Sequence, residues 1–297
     1  MSGGPTAQAQ DQAHDLPEIE GVEHRFVDAD GLDVHVAIAG EGPPVLLLHG
    51  WPQHWYMWRG VIERLASQFR LIAPDLRGFG WTEAPGAGYD AETFAADQVA
   101  LLDALEIESA SVIGHDWGGW TAFLLGLDHS DRIERMVICN APHPWPKIEP
   151  SLALDTWRSW YAIANATPLL GKWLSESGRM PGFFLGHGNV GDPFPDGLDV
   201  YREQFRDPAR AVAAVKLYRH YMRIFVAGFR GPYRRQRLAV PTLLLFGAAD
   251  RYVSPRLLPG YEEHADDMQL ELVPDSGHFL VDEKPDLVAR RALSFLS

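Results

Sequence analysis

Cysteine is almost absent: Cys139 is the single one in 297 residues. It can form no internal disulfide and supply no thiolate zinc cage, which fits a reducing cytoplasm. Positive charge is also scarce, with 26 Lys and Arg against 40 Asp and Glu, a formal net charge of -14. Such a surface repels phosphate backbones and anionic lipid, so no nucleic acid and no membrane is expected as a partner without a strong local basic patch. No run of about 18 apolar residues occurs, which excludes a transmembrane helix. Residues 1–20 lack the basic start and apolar run of a signal peptide and read as a disordered leader. There is no internal repeat, no P-loop and no His-Glu-x-x-His pair among the 12 histidines, and Gly78-Phe79-Gly80 lacks the rest of a dinucleotide fingerprint. What is present is apolar material: hydrophobic residues make up 46% and charged residues 22%. That is enough for a sizeable core and excludes global disorder.

The segment from His24 to Ala39 alternates about Asp30-Gly31 and predicts a hairpin at a sheet edge. Short apolar runs suited to buried strands follow at Val45 to Leu48, Leu71 to Ala73, Ala110 to Ile113, Met136 to Cys139, Thr242 to Phe246 and Leu270 to Val273. Helical patterns lie between many of them, at Ala91 to Leu105, Trp120 to Leu127 and Pro285 to Leu296. The alternation predicts an α/β fold with a mostly parallel sheet covered on both faces. It breaks over 142–238, where no strand-like run appears and Trp145, Trp157, Trp160, Tyr161 and Trp173 crowd the first third. This stretch reads as a helical cap over the C-terminal edge of the sheet, inserted into a core of residues 21–141 and 239–297. Within it, Gly182 to Gly197 reads as a mobile loop, and Arg230, Arg234, Arg235 and Arg237 as a solvated hinge face.

Chemistry concentrates at three strand ends. The strand ending at Ile113 runs into Gly114-His115-Asp116-Trp117-Gly118-Gly119 and then a helical pattern. This is the Gly-x-nucleophile-x-Gly elbow, in which small residues permit a sharp turn that lifts the central side chain out of the sheet. The central residue is Asp116 rather than serine, and the exposed N–H groups of the following helix suit a carboxylate. Asp250 follows the next-to-last strand and His278 the last, giving the order nucleophile, acid, histidine. An acid there orients the imidazole and stabilises its protonated form, so His278 can act as base. Asp275 and Asp282 also lie near His278. Asn140 is neutral and cannot replace Asp250, and His115 reads as a packed neighbour of the nucleophile.

With these motifs the chain resembles the α/β-hydrolase fold, and within it the epoxide hydrolases, from about Val22 to Ser297. His49-Gly50-Trp51-Pro52 is similar to the family's His-Gly-x-Pro turn, which often contains a cis proline. Pro74-Asp75-Leu76-Arg77-Gly78-Phe79-Gly80 matches a characteristic family turn. The resemblance implies an eight-stranded, mostly parallel sheet with the helical cap inserted after the sixth strand. It also implies an oxyanion hole made by the backbone N–H groups of Trp51 and Trp117, and no cofactor or metal.

A carboxylate nucleophile has its own logic. Serine attacking a saturated carbon would leave an ether, whereas Asp116 leaves an ester whose carbonyl water can attack. An opening epoxide leaves an alkoxide that needs a proton, and two cap tyrosines supply it in epoxide hydrolases. Tyr161, seven residues before Pro168, resembles the first, and Tyr218, after a helix start at Pro208, resembles the second; Tyr221, one helical turn on, competes with it. The expected reaction is hydrolysis of a small apolar epoxide to a vicinal diol, with Trp117, Trp51 and Trp160 binding substrate. The alternative is a haloalkane dehalogenase using the same Asp116, with Trp157 or Trp160 as a second halide donor in place of the Asn that one such group carries at position 51. Fluoroacetate dehalogenases usually carry Arg after the nucleophile, where Trp117 stands. A noncatalytic small-molecule receptor on the same pocket is the third reading.

Overall fold

The computed structural model describes residues 16–194, 197–226 and 232–297. The leader expected at 1–20 therefore falls mostly outside the described residues, as does Arg230 of the arginine cluster. Eight strands form one sheet: β1 (Val22–Ala29), β2 (Leu32–Ala39), β3 (Pro44–Leu48), β4 (Arg70–Pro74), β5 (Ala110–His115), β6 (Ile133–Cys139), β7 (Thr242–Gly247) and β8 (Met268–Val273). Their spatial order is β1-β2-β4-β3-β5-β6-β7-β8. β2 runs antiparallel to β1 and β4, and every other pair is parallel. The hairpin turns at Asp30 and Gly31, both at positive φ, where a short polar side chain and a missing one are tolerated.

Every residue of β5 and β7 is buried. Burial at consecutive positions means cover on both faces of the sheet, which is why these strands read as unbroken apolar runs instead of alternating. Four core helices supply that cover: α1 (Arg59–Leu65), α2 (Ala91–Ala104), α3 (Trp117–Asp128) and, at the end of the chain, a helix over Pro285–Leu296. The first packs against the last, and α2 packs against α3. Asp90 caps α2 by accepting from the Thr93 N–H at 2.9 Å.

Between β6 and β7 the described residues hold helices and no strand: a 3-10 stretch over Pro150–Ser159, then α4 (Trp160–Ala166), α5 (Pro168–Glu176), α6 (Arg179–His187) and α7 (Pro208–Val226). α7 is the spine of this insertion, packing on both α4 and α5. Proline opens both α5 and α7, at a helix position where a missing N–H costs nothing. The loop expected over Gly182 to Gly197 is corrected in its first part: the chain remains helical through His187, because Met180, Phe184 and Leu185 bury their side chains, and the described residues from Gly188 to Gly197 are non-helical, with 195–196 outside the described residues. Packing outweighs the weak helix propensity of Gly182 and Gly186. Of the arginines near the insertion's end, Arg237 pairs on the surface with Asp266. No helix among the described residues is long and apolar enough to cross a membrane.

Candidate active site

The sheet brings the ends of β3, β5, β6, β7 and β8 together along one edge. Asp116 sits between β5 and α3 with φ 50° and ψ −116°, a left-handed conformation that a non-glycine residue adopts only when its surroundings enforce it. The enforcement is close packing of the β3 turn on the elbow. A Cβ at Gly118 would lie 2.0 Å from the Leu48 carbonyl oxygen, and one at Gly50 would lie 2.4 Å from the Asp116 Cβ. Both positions therefore exclude any side chain. The approach delivers the Trp51 N–H to Asp116 Oδ2 at 3.0 Å, and the Trp117 N–H also bonds this carboxylate. The Trp51–Pro52 peptide is cis.

Burial pushes the Asp116 pKa up to about 6, and is only partly opposed by the facing His278 and by the N–H groups of Trp117 and Trp51. Asp250 shares the burial but not the outcome. Its carboxyl is held below the usual range because His278, Asn140 and backbone N–H groups outweigh the cost of desolvation. Asp250 Oδ1 accepts from the N–H groups of Tyr252 and Val253, at 2.8 and 3.0 Å. Its Oδ2 lies 2.7 Å from Asn140 Nδ2 and 2.8 Å from His278 Nδ1.

His278 is buried, which lowers its basicity, yet the Asp250 carboxylate turns the net shift upward. Its Nε2 stands 3.8 Å from Asp116 Oδ1. The backbone of His278 is fixed as well: its N–H donates to the Gly188 carbonyl at 2.7 Å, and its carbonyl lies 2.8 Å from His115 Nε2. A carbonyl can only accept, so that His115 nitrogen carries the proton. Burial, and then His278, bring the His115 pKa down to about 3, so it stays neutral. Asn140, whose sequence reading went only as far as its unfitness as an acid, holds Asp250 by its amide; Asp275 and Asp282 stand apart, the latter paired with Arg59 at 2.6 Å.

A cavity of about 870 Å³, counting its mouth, opens over these groups. Asp116, His278, Trp117, Tyr161, Tyr218 and Tyr221 all line it. Tyr161 on α4 and Tyr218 on α7 are buried, with ring centroids 5.9 Å apart, edge to face. Burial, with nearby phenols and the Asp116 carboxylate, raises both pKa values far above the usual phenol range, so both hydroxyls keep their protons. Tyr221 is also in the wall, with its hydroxyl hydrogen-bonded to Ser159. Two aromatics that the sequence did not point to complete the box: Tyr252 stacks on Phe184 at 3.8 Å, and the Tyr161 ring meets Phe184 edge-on at 4.5 Å.

Two sequence expectations are corrected. Trp160 faces away from this cavity: it is 46% exposed and meets Phe183 on an outer groove, because Tyr161 takes the inward side of α4. Trp157 is 67% exposed and lines the same groove, so neither tryptophan is placed to bind a halide beside Asp116. The Trp51 indole is buried against Phe184 and Tyr218, and it is the backbone N–H of that residue that reaches the site.

Residues 43–285 match the family model of the alpha/beta hydrolase fold. The chain is 31% identical over 288 residues to a soluble epoxide hydrolase of Corynebacterium sp. (strain C12), covering 93% of this chain and 98% of that one. It is also 31% identical over 299 residues to a fluoroacetate dehalogenase of Burkholderia sp, covering 94% and 95%. A solved structure of an epoxide hydrolase, CorEH, superposes with a TM-score of 0.80 at 29% identity, covering 93% of this chain and 98% of its own. With the elbow, the sheet order and a family match over most of its length in agreement, the chain belongs to the α/β-hydrolase fold family.

Proposed function

We propose that the protein hydrolyses an epoxide to a vicinal diol through an ester formed on Asp116. The observation that carries this reading is that one aromatic cavity holds the Asp116 carboxylate, the His278 imidazole and phenols that keep their protons, Tyr161 and Tyr218 among them. Asp116, ionised above its pKa of about 6, attacks a ring carbon while Tyr161 and Tyr218 donate to the epoxide oxygen. The C–O bond breaks, a phenol proton goes to the alkoxide, and an alkyl ester of Asp116 remains. In the second step His278 takes a proton from water, whose oxygen adds to the ester carbonyl. Asp250 stabilises the imidazolium, and the N–H groups of Trp51 and Trp117 hold the oxyanion. Collapse of that tetrahedral intermediate expels the second diol oxygen, which takes the carboxyl proton as the carboxylate is restored, and the imidazolium proton passes to the phenolate left by the first step, so every group ends as it began. The helices between β6 and β7 act as the cap that keeps bulk water out.

Phe at Tyr161 or Tyr218 removes a proton donor and leaves the ring packing in place. Each single variant is expected to lower kcat by about 10²- to 10⁴-fold, and the same change at Tyr221 by far less, as steady-state diol formation will show. If the Tyr221 variant is the crippled one, the assignment of the second donor to Tyr218 is wrong.

The pH profile follows from the two shifts. Asp116 attacks only as carboxylate, so kcat/KM is expected to fall as pH drops through about 6. His278 accepts a proton only when neutral, and its raised pKa makes ester hydrolysis weaken on the same acid side. Activity that persists unchanged to pH 4.5 would contradict both assignments.

Likeness to a fluoroacetate dehalogenase keeps carbon–halogen displacement by the same Asp116 as the second reading. Assaying diol and halide release together on aryl epoxides, haloalkanes and fluoroacetate separates them, and halide without diol would overturn the role given to the tyrosines.

A further inference from the structure

The loop that carries His278 is gripped between core and cap. A Cβ at Gly277 would lie 2.1 Å from the Gly188 carbonyl oxygen, and one at Gly247 would lie 2.1 Å from the Gly277 carbonyl oxygen. Bare backbone is all that fits between the end of β7 and the stretch that follows α6. Across this contact the His278 N–H donates to the Gly188 carbonyl at 2.7 Å. Two neighbours reinforce it: the Tyr252 hydroxyl donates to the Phe184 carbonyl at 2.9 Å, and Arg251 donates to the His187 carbonyl at 3.1 Å. The last carbonyls of α6 thus find their partners on the loops of the acid and the base.

One side chain closes this contact from behind. Glu283, at the end of a one-turn helix over Leu280–Glu283, takes the Gly277 N–H between its two carboxyl oxygens, at 3.0 and 2.9 Å. Its Oε2 also accepts from the Val190 N–H, in the cap, at 3.0 Å. No step of the proposed reaction uses this carboxylate. Its neighbours are committed elsewhere, Asp282 to Arg59 at 2.6 Å and Lys284 to the Pro274 carbonyl at 2.8 Å. Burial lowers the basicity of His278, while the charges of Asp250, Asp116 and Glu283 raise it. The other titratable groups against the imidazole, His115 and Tyr252, meet it ring to ring at 5.1 and 5.4 Å and carry no charge.

We propose that Glu283 is a positioning residue for the base: it fastens the His278 loop to the cap, so that Nε2 keeps its line to the ester on Asp116. This rests on the epoxide reading and deepens it. Ester formation needs no base, so the clasp acts on the second step alone.

Glu283→Met removes both acceptors and leaves the buried Gly277 N–H unpaired, whereas Glu283→Gln keeps an oxygen that can serve both N–H groups. Rapid quenching after mixing with an aryl epoxide, with ester and diol quantified, separates the half-reactions. In Glu283→Met, ester formation should stay within about 3-fold of the unaltered protein, while ester breakdown slows by about 10- to 100-fold, the cost of a misplaced base. Glu283→Gln should recover most of that rate, with the acid limb of ester breakdown moved to lower pH, because one charge that raises the His278 pKa is gone. Hydrogen exchange at the Gly277 and His278 amides should quicken in Glu283→Met. Should that variant fail to fold, Glu283→Asp, which draws the carboxylate back by one methylene, carries the same expectations. Equal slowing of both half-reactions would overturn the proposal, as would unchanged ester breakdown in a variant whose amides exchange faster. Neither ester nor diol from the unaltered protein would instead sink the epoxide reading, and the exchange rates would then still decide whether Glu283 fastens the loop.

Discussion

Replacing Asp116 with asparagine is expected to abolish turnover and at the same time to stabilise the fold. The first effect follows from the loss of the attacking carboxylate, and residual activity should be lower by at least about 10⁴-fold. The second follows from the raised pKa. A carboxyl that titrates near 6 in the folded protein and at 3.8 ordinarily resists ionising in its buried position. Below pH 3.8 it is neutral in both states and carries no penalty. Above about 6 it is charged in both, and the folded state bears the full difference, on the order of 3 kcal/mol at about 1.4 kcal/mol for each pH unit. Asparagine removes that penalty while keeping an oxygen for the Trp51 and Trp117 N–H groups. Thermal unfolding should therefore give a higher Tm for the variant at pH 7.5, with the gap closing as the pH is taken below 4. A variant that is both inactive and less stable at pH 7.5 would show that Asp116 supports the elbow rather than straining it.

His278→Gln is expected to separate the two chemical steps. Ester formation needs Asp116 and the phenols, whereas ester breakdown needs a base for water, and the only imidazole nitrogen facing Asp116 in the described site is His278 Nε2, at 3.8 Å. The variant should turn over once and stop, with steady-state kcat lower by about 10⁴-fold or more. Intact-protein mass spectrometry should then find the chain heavier by one epoxide, and peptide mapping should put the addition on Asp116. Full activity with no adduct would mean that water attacks the epoxide directly. The near-neighbour His115 does not substitute: its Nε2 proton is committed to the His278 carbonyl and burial keeps the ring neutral.

Much of this architecture is legible in the sequence because it is built from short-range rules. Asp116, Asp250 and His278 each follow a short apolar run, and parallel strands put the ends of such runs on one edge in a known order. The flat aromatic content of the insertion is harder to read. Trp160 and Tyr161 are adjacent and both apolar, so periodicity gives no signal for which one turns inward, and the structure puts Tyr161 inside. Tyr218 and Tyr221 lie one turn apart on α7, and both reach the cavity. Packing distinguishes them: Tyr218 is buried edge to face on Tyr161, whereas Tyr221 is only partly buried and is bonded to Ser159. The glycines at 182 and 186 suggest a loop, yet the buried side chains between and before them hold a helix. Asn140 and Glu283 act through partners more than 90 positions away, 110 and 93 residues along the chain, and only the pairing of β6 with β7 and the folding back of the insertion bring them together.

The proposed reaction requires Asp116 to form and then give up a bond to substrate carbon. A single turnover in water labelled with heavy oxygen, with protein in excess over an aryl epoxide, tests this directly. During ester hydrolysis the water oxygen enters the carboxyl, so the Asp116 peptide should gain the label while the first diol formed carries ordinary oxygen from the protein. Label found in the diol and never in Asp116 would mean that no such bond is made.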